Sequence, residues 1–410
     1  MNRLKTIGFL PGLAFLFNAI TGPGIPATPS IFSVHGAGVI PSLFFFFFFA
    51  ILSGFSVLLI IEAMQAIPGN KHFQGTVEFG TLLNFYFGKY THILGQIILY
   101  GALQTNAIQS IVLTAQTTDN LLITLFQKTC GLTVDGRWIC VKEVLSSPSP
   151  FQCESMWFTM GLLICIFLVI PLGIINLDDN LMVQMFSFLA AIVIGIQWIS
   201  AGILKGLVLE RVPAFAPFSL NYGYTLGPII LNLAFTYVVP SWINLKRKDV
   251  NAQSVVWTSV FFSTGFYSVF GIIAAMAFID TGFYNSNILQ DLQSFGIPSI
   301  LTKFTVFAYA YVMLLTSIPV NFIISGNNLV QNKVLAPPLA KFCAFILPWF
   351  FVIPLQTGYI LSKFNSWTSL IFVSTANFIM PIFVYYSCKS FRKSYNQSRG
   401  ISFLFDFSFV

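Results

Sequence analysis

The sequence predicts an all-α polytopic membrane protein of about ten spanning helices, and three observations carry that prediction. Of its 410 residues 56% are hydrophobic and only 8% charged, whereas charged residues make up about 25% of an ordinary soluble domain. The apolar residues come in runs long enough to cross the roughly 30 Å hydrocarbon core of a bilayer. The Lys and Arg residues fall between those runs, so the net charge of +7 reports topology and implies no nucleic-acid partner.

Ten spans follow, at residues 7–33, 39–67, 91–126, 156–176, 181–208, 225–245, 253–279, 299–325, 337–360 and 365–388. Arg3 and Lys5 precede the first run as they would in a signal peptide. That run carries Pro11, Asn18 and Thr21, and no small-residue cleavage site follows it, so it reads as a span. The second span contains Phe44 to Phe49 in succession; a homopolymer specifies no contact, and it is expected to face lipid. The third span is longer than a membrane needs, so it tilts or projects. Residues 401–410 are too few for a further crossing, which leaves a natural ten-helix form and a truncated gene product as the two readings.

Loop charges orient the spans. With the N-terminus inside, the cytoplasmic side receives thirteen basic residues: Arg3, Lys5, Lys71, Lys89, Lys246, Arg247, Lys248, Lys333, Lys341, Lys389, Arg392, Lys393 and Arg399. The other side receives seven: Lys128, Arg137, Lys142, Lys205, Arg211, Lys303 and Lys363. Both termini are therefore expected in the cytoplasm, with 389–410 as a short tail. The one long hydrophilic loop, 127–155, then faces the oxidising side. It holds Cys130, Cys140 and Cys153, for which one disulfide and three pairings are open. Cys165, Cys343 and Cys388 lie in spans or at their ends as small apolar residues.

The motifs argue against an enzyme. His35, His72 and His92 form no i, i+4 metal pair, and no phosphate loop, nucleophile elbow or intramembrane carboxylate pair is present. The informative stretch is Phe17-Asn18-Ala19-Ile20-Thr21-Gly22-Pro23-Gly24-Ile25-Pro26-Ala27-Thr28-Pro29. Two glycines and three prolines break a helix inside an apolar span. In hydrocarbon such a break persists only where it lines a cavity or binds something. The sixth span has a second interruption signal, with Asn232, Thr236 and Tyr237 near Pro240. Pro240 is expected to free a carbonyl one turn earlier, near Thr236. Paired interruptions in spans one and six are the signature of a secondary transporter made of two inverted five-helix halves, here 7–208 and 209–388. Span three adds Tyr100, Gln104, Thr105, Asn106, Gln109, Ser110 and Thr114, too many polar groups to face lipid. Thr316-Ser317-Ile318-Pro319 places two hydroxyls together in span eight.

These residues resemble the amino acid/auxin permease family, within the amino acid–polyamine–organocation group. Asn18 to Ile25 is similar to the N-x-x-x-G-x-G-I element of that family's first helix. Phe235 to Asn244 with the following Lys246-Arg247-Lys248 resembles its sixth helix and loop, and Thr316 to Val320 its eighth. Pro348 to Pro381, including Gln356-Thr357-Gly358, is similar to helices nine and ten of fungal and protist members. The resemblance implies a cation-coupled carrier of amino acids, expected to be neutral ones, in the plasma membrane or a vacuolar or lysosomal membrane. It implies a substrate site at Thr21, Gly22, Gly24, Phe235, Thr236 and Tyr237, with selectivity from neighbours such as Gln104 or Tyr100. A sodium site would draw on Asn18, the carbonyls of Ile20 and Thr21, and the hydroxyls of Thr316 and Ser317. Oxygen ligands suit sodium, whereas a proton needs a titratable carrier that neither break contains; many relatives use protons, so the coupling ion stays open. Pro23 departs from the family pattern and removes one donor from the substrate cradle. No other cofactor and no obligate protein partner is implied. The rival readings are an amino acid sensor with little turnover and a carrier of another small solute such as a purine. A polyamine carrier would want intramembrane acids, and only Glu62 and Asp119 come close, both expected near span ends.

Overall fold

Hydrocarbon offers no partner to a backbone N–H or C=O, so each apolar run closes its own hydrogen bonds as a helix. A computed structural model describes residues 7–142, 149–152, 155–174, 180–216, 222–279, 288–294, 300–357 and 360–394. Arg3, Lys5, Cys153, Gly358, Arg399 and the expected tail beyond Ser394 lie outside the described residues. The helices in chain order are α1 (Phe9–Thr21), α2 (Thr28–Phe32), α3 (Val39–Ala66), α4 (Phe79–Phe87), α5 (Lys89–Phe126), α6 (Met160–Ile174) and α7 (Asn180–Lys205). They continue as α8 (Tyr222–Asn232), α9 (Val239–Leu245), α10 (Ala252–Phe278), α11 (Ile288–Ser294), α12 (Ile300–Tyr309) and α13 (Leu315–Gln331). The last are α14 (Pro337–Phe345), α15 (Leu347–Val352), α16 (Ile360–Thr368) and α17 (Met380–Ser394).

Several neighbours join into single spans. A π-helical turn, Ala310–Leu314, links α12 to α13, and two more, Ser369–Val373 and Thr375–Ile379, carry α16 into α17. Among the described residues eight helices are long and apolar enough to cross a membrane, and the bent pair α1 and α2 makes a ninth. The protein is thus a largely helical, multi-pass membrane protein, as its composition predicts. The fourth expected span holds α6, shorter at 15 residues. The eighth runs past its expected end to Gln331, and Asn321, Asn328 and Asn332 each donate to a carbonyl one turn back.

Burial separates the centre of the bundle from its rim. Of the apolar window in 225–245, 89% is buried, and 78% of that in α5, against 28% in 337–355. The polar stripe of α5 is therefore internal: Gln104 to Gln116 and on to Asn120 are buried throughout. The six-phenylalanine run is not all lipid-facing. Phe44, Phe47 and Phe48 are exposed, but Phe46 is fully buried and stacks on Phe32 and Tyr267 at 5.6 Å. A helix turns about 100° per residue, so six consecutive residues must include one that points inward.

The long loop adds a small sheet to the helical bundle. Strands β1 (Thr129–Thr133), β2 (Trp138–Val141) and β3 (Met156–Thr159) form an antiparallel sheet in the order β2-β1-β3. Cys130 and Cys140 sit directly opposite each other on β1 and β2 and are disulfide-bonded. Asp119 of α5 clasps the sheet, its Oδ1 accepting from Thr129 Oγ1 at 2.7 Å and from Gly161 N at 2.8 Å. Beyond the other end of the bundle, the Ile7 N–H donates to Leu245 O at 3.1 Å and the Arg247 N–H to Ile7 O at 2.9 Å. Glu78 accepts from Ser241 Oγ at 2.7 Å and Asn244 Nδ2 at 3.2 Å. The start of the chain and the 67–78 connection are thereby tied to α9. Glu62 pairs with Arg392 of α17 at 2.6 Å, both side chains nearly buried.

Candidate functional site

The first span breaks where its glycines and prolines predict. Gly22-Pro23-Gly24 interrupts the helix, a single 3-10 turn (Ile25–Ala27) follows, and the two helical pieces meet at 47°. The break strips carbonyls of their intrahelical donors, and each must find another. Four do so from side chains. Tyr267 of α10 donates to Ile20 O at 2.7 Å and Tyr309 of α12 to Gly22 O at 2.8 Å. Gln109 of α5 donates to Pro23 O at 3.1 Å. Gly24 O accepts from Thr28 Oγ1 at 3.0 Å and, at 3.4 Å, from Asn232 Nδ2 of α8.

The second break differs from expectation. Pro240 does not open a carbonyl within a helix; it lies in the first turn of α9, where a missing N–H costs nothing. Thr236 O is engaged by the Val239 N–H. The chain unwinds earlier, at Leu233–Phe235. Leu233 O accepts from Ser53 Oγ at 2.6 Å, and the Thr236 N–H donates to Asn377 Oδ1 at 2.8 Å. Asn377 Nδ2 completes the link to Ser53 Oγ at 2.9 Å, so α3 and the π-helical turn before α17 hold this break open.

Between the two breaks lies a small cavity of about 30 Å³, room for a water molecule or two. α1 and its break contribute Phe15, Asn18, Ala19, Gly22 and Pro23; α5 contributes Asn106 and α7 Gln184. The second break supplies Tyr237 and Val238, and α13 supplies Ser317, Val320 and Asn321. None of these side chains is charged. Asn106 Nδ2 donates to the Tyr237 hydroxyl. Ser317 Oγ donates to Leu314 O at 2.7 Å and lies 3.1 Å from Ser110 Oγ. Asn18 Nδ2 donates twice to Gln184, to its backbone O at 2.7 Å and its Oε1 at 2.8 Å. Asn18 Oδ1 and Gln184 Nε2 are buried without a partner.

Of the residues singled out in the sequence, the structure brings Asn18, Gly22, Pro23, Asn106, Tyr237 and Ser317 to this cavity. It directs the others elsewhere. Thr21 bonds back to Phe17 O at 2.7 Å, and Ile20 O is held by Tyr267. Gly24 packs beneath Asn232, and Phe235 is wholly buried in the apolar core. Thr236 faces Asn377. Gln104 Nε2 reaches Ser325 Oγ at 3.3 Å, and Tyr100 donates to Cys343 O at 2.6 Å, both on the far side of α5 from the break. Thr316 donates to Val312 O at 2.6 Å and meets Ser187 Oγ of α7 at 3.2 Å. Of the five groups expected to hold sodium, two line the cavity, and the Ile20 carbonyl keeps one lone pair beyond its bond to Tyr267. Gln184, Asn321, Asn377, Tyr267 and Tyr309 were not singled out as site residues. A polar residue in an apolar span is the only signal that could have found the first three, and nothing local distinguishes the tyrosines. Among the described residues no group of three or more His, Cys, Asp or Glu could hold a metal ion. No family model matches the chain, and no curated protein matches it.

Proposed function

We propose that the chain is a secondary transporter of neutral amino acids working by alternating access, related to the amino acid/auxin permeases. The observation that carries this reading is the meeting of two unwound spans, one on each side of a single uncharged cavity. Unwound backbone at membrane depth is costly unless it lines such a cavity. A broken helix also presents what a zwitterion needs: the N-terminal end of its second half favours the carboxylate, and carbonyls at the end of its first half favour the ammonium. Uncharged walls suit a ligand with no net charge.

The same reading takes 7–208 and 209–388 as two inverted five-helix halves, with spans one and six in corresponding places. The partition of Lys and Arg supports cytoplasmic termini, in a plasma or vacuolar membrane. The closures at Ile7 and Glu78 would then seal the cytoplasmic end. Coupling is to a sodium or proton gradient through α1 and α13. A sensor that binds without turnover is the second reading, favoured by how fully the break's carbonyls are already bonded. The test is uptake of labelled neutral amino acids by the full chain in vesicles, with and without cation gradients. Saturable, gradient-dependent uptake is expected, with Thr316→Ala weakening the cation dependence more than amino acid binding. Saturable binding without uptake would favour the sensor, and neither binding nor uptake would end the amino acid reading.

A further inference from the structure

We infer that the three-stranded sheet is a lipid-binding surface, its outward face lying in the headgroup layer of the bilayer. This needs only that the chain spans a membrane and is independent of what it carries. The sheet is built inside out. Thr129, Thr133 and Thr159 are buried on one face, and each has a partner. Thr129 Oγ1 donates to Asp119 of α5, Thr133 Oγ1 donates to Arg137 O at 3.0 Å, and Thr159 Oγ1 accepts from the Leu162 N–H of α6 at 3.2 Å. The opposite face is apolar. Leu132 is paired with Trp138 on one side and Phe158 on the other, which sets the three side chains in one row across the sheet. The Cys130–Cys140 disulfide makes the next row on that face.

An antiparallel sheet with one face on the protein and the other in water carries polar residues on the wet side. Here the outward strand positions hold none. Trp138 is 54% exposed and Trp157, on the edge strand β3, 46%; Leu125 and Phe126, just ahead of β1, are exposed as well. An indole, with an apolar ring and one N–H, is the side chain of the membrane–water interface. The level of the sheet fits that layer. Thr159 ends β3 and Met160 begins α6, and eighteen residues run from Met160 to the acidic pair Asp178-Asp179. A helix of that length spans about 27 Å, whereas the hydrocarbon core is about 30 Å thick. The boundary of the core therefore falls at or before Met160, among the residues of β3. Lys128 and Lys142 flank the sheet and are exposed, so their long side chains can reach lipid phosphates. A protein partner would also cover an apolar face, but a face at the edge of the core meets lipid first. The headgroup layer is hydrated, so the disulfide row stays within reach of water-borne reagents.

Tryptophan fluorescence of the full-length protein in lipid nanodiscs, which leave both faces open to water, tests this. Subtracting the emission of a Trp138→Phe, Trp157→Phe double variant from that of wild type isolates two indoles of the seven. Lipid brominated on its upper acyl chain is expected to lower that difference emission about twofold, and iodide to quench it about fivefold less than free tryptophan. No effect of the brominated lipid overturns the inference, whether iodide reaches the indoles, as for a face in water, or does not, as for a face covered by protein. Should the double variant fail to fold, the wild type decides alone. A phospholipid carrying a photoreactive diazirine beside its headgroup must then cross-link to Trp138, Leu132 or Phe158. Cross-links confined to the helices overturn the inference.

Discussion

Gly24→Ala should cost the protein about 2–4 kcal/mol, and a second substitution should recover much of it. A Cβ built on Gly24 falls 1.5 Å from Asn232 Oδ1, 2.3 Å from its Cγ and 3.0 Å from its Nδ2. Asn232 is itself buried on α8, so the amide must swing away from a close-packed site. Overpacking of this kind costs about 1–3 kcal/mol. The swing also breaks the Asn232 bonds to Gly24 O and Thr28 Oγ1. Both are long, so they add about 1 kcal/mol together. At Gly22 the same Cβ meets only Asn18 O at 3.4 Å, so Gly22→Ala should cost under about 1 kcal/mol, in the range of ordinary contacts. The assay is unfolding in mixed micelles for Gly24→Ala, Asn232→Ala and the double variant. Removing the Asn232 amide clears the clash, so the cycle should show a favourable coupling of about 2 kcal/mol. Additive losses, or a Gly24→Ala variant as stable as wild type, would refute the claim that close approach to Asn232 is what demands glycine there.

Other expectations follow from the same contacts. Tyr309→Phe leaves the buried Gly22 carbonyl without its phenol donor and should destabilise by about 1–3 kcal/mol, measured by the same unfolding; no change would mean the carbonyl finds water. Glu62→Gln leaves the nearly buried Arg392 without its carboxylate and should cost about 3 kcal/mol, whereas Glu62→Gln combined with Arg392→Met should cost less than the two single changes summed. Cys140 is on the exposed side of β2. After reduction of the Cys130–Cys140 bond, a membrane-impermeant thiol reagent should reach it from the non-cytoplasmic side, and labelling only from the cytoplasm would reverse the proposed topology.

Sequence alone determined where most of the long apolar helices lie and where the first of them breaks. Both are local facts: spans are runs of apolar side chains, and Gly22-Pro23-Gly24 lacks the Cβ atoms and the donor that would keep a helix closed. The buried stripe on α5 was legible for the same reason, since Asn106, Gln109 and Ser110 cannot face lipid whatever surrounds them. Partnership was not legible, because it depends on which helix lies opposite. Pro240 reads as a helix breaker until α9 is seen to begin beside it. Gly22 and Gly24 look alike in sequence, yet one borders the cavity and the other is pinned beneath Asn232. Thr21, Thr236 and Gln104 carry suitable groups, but Phe17, Asn377 and Ser325 engage them before any ligand does. Gln184 was one polar residue in an apolar helix, with no local mark to set it apart. Only when α7 packs on α1 does its backbone carbonyl orient the Asn18 amide, and that contact leaves two unpaired atoms on the cavity wall. Tertiary structure decided the site because burial and hydrogen-bond partnership are properties of pairs of distant residues, and one-dimensional order records neither.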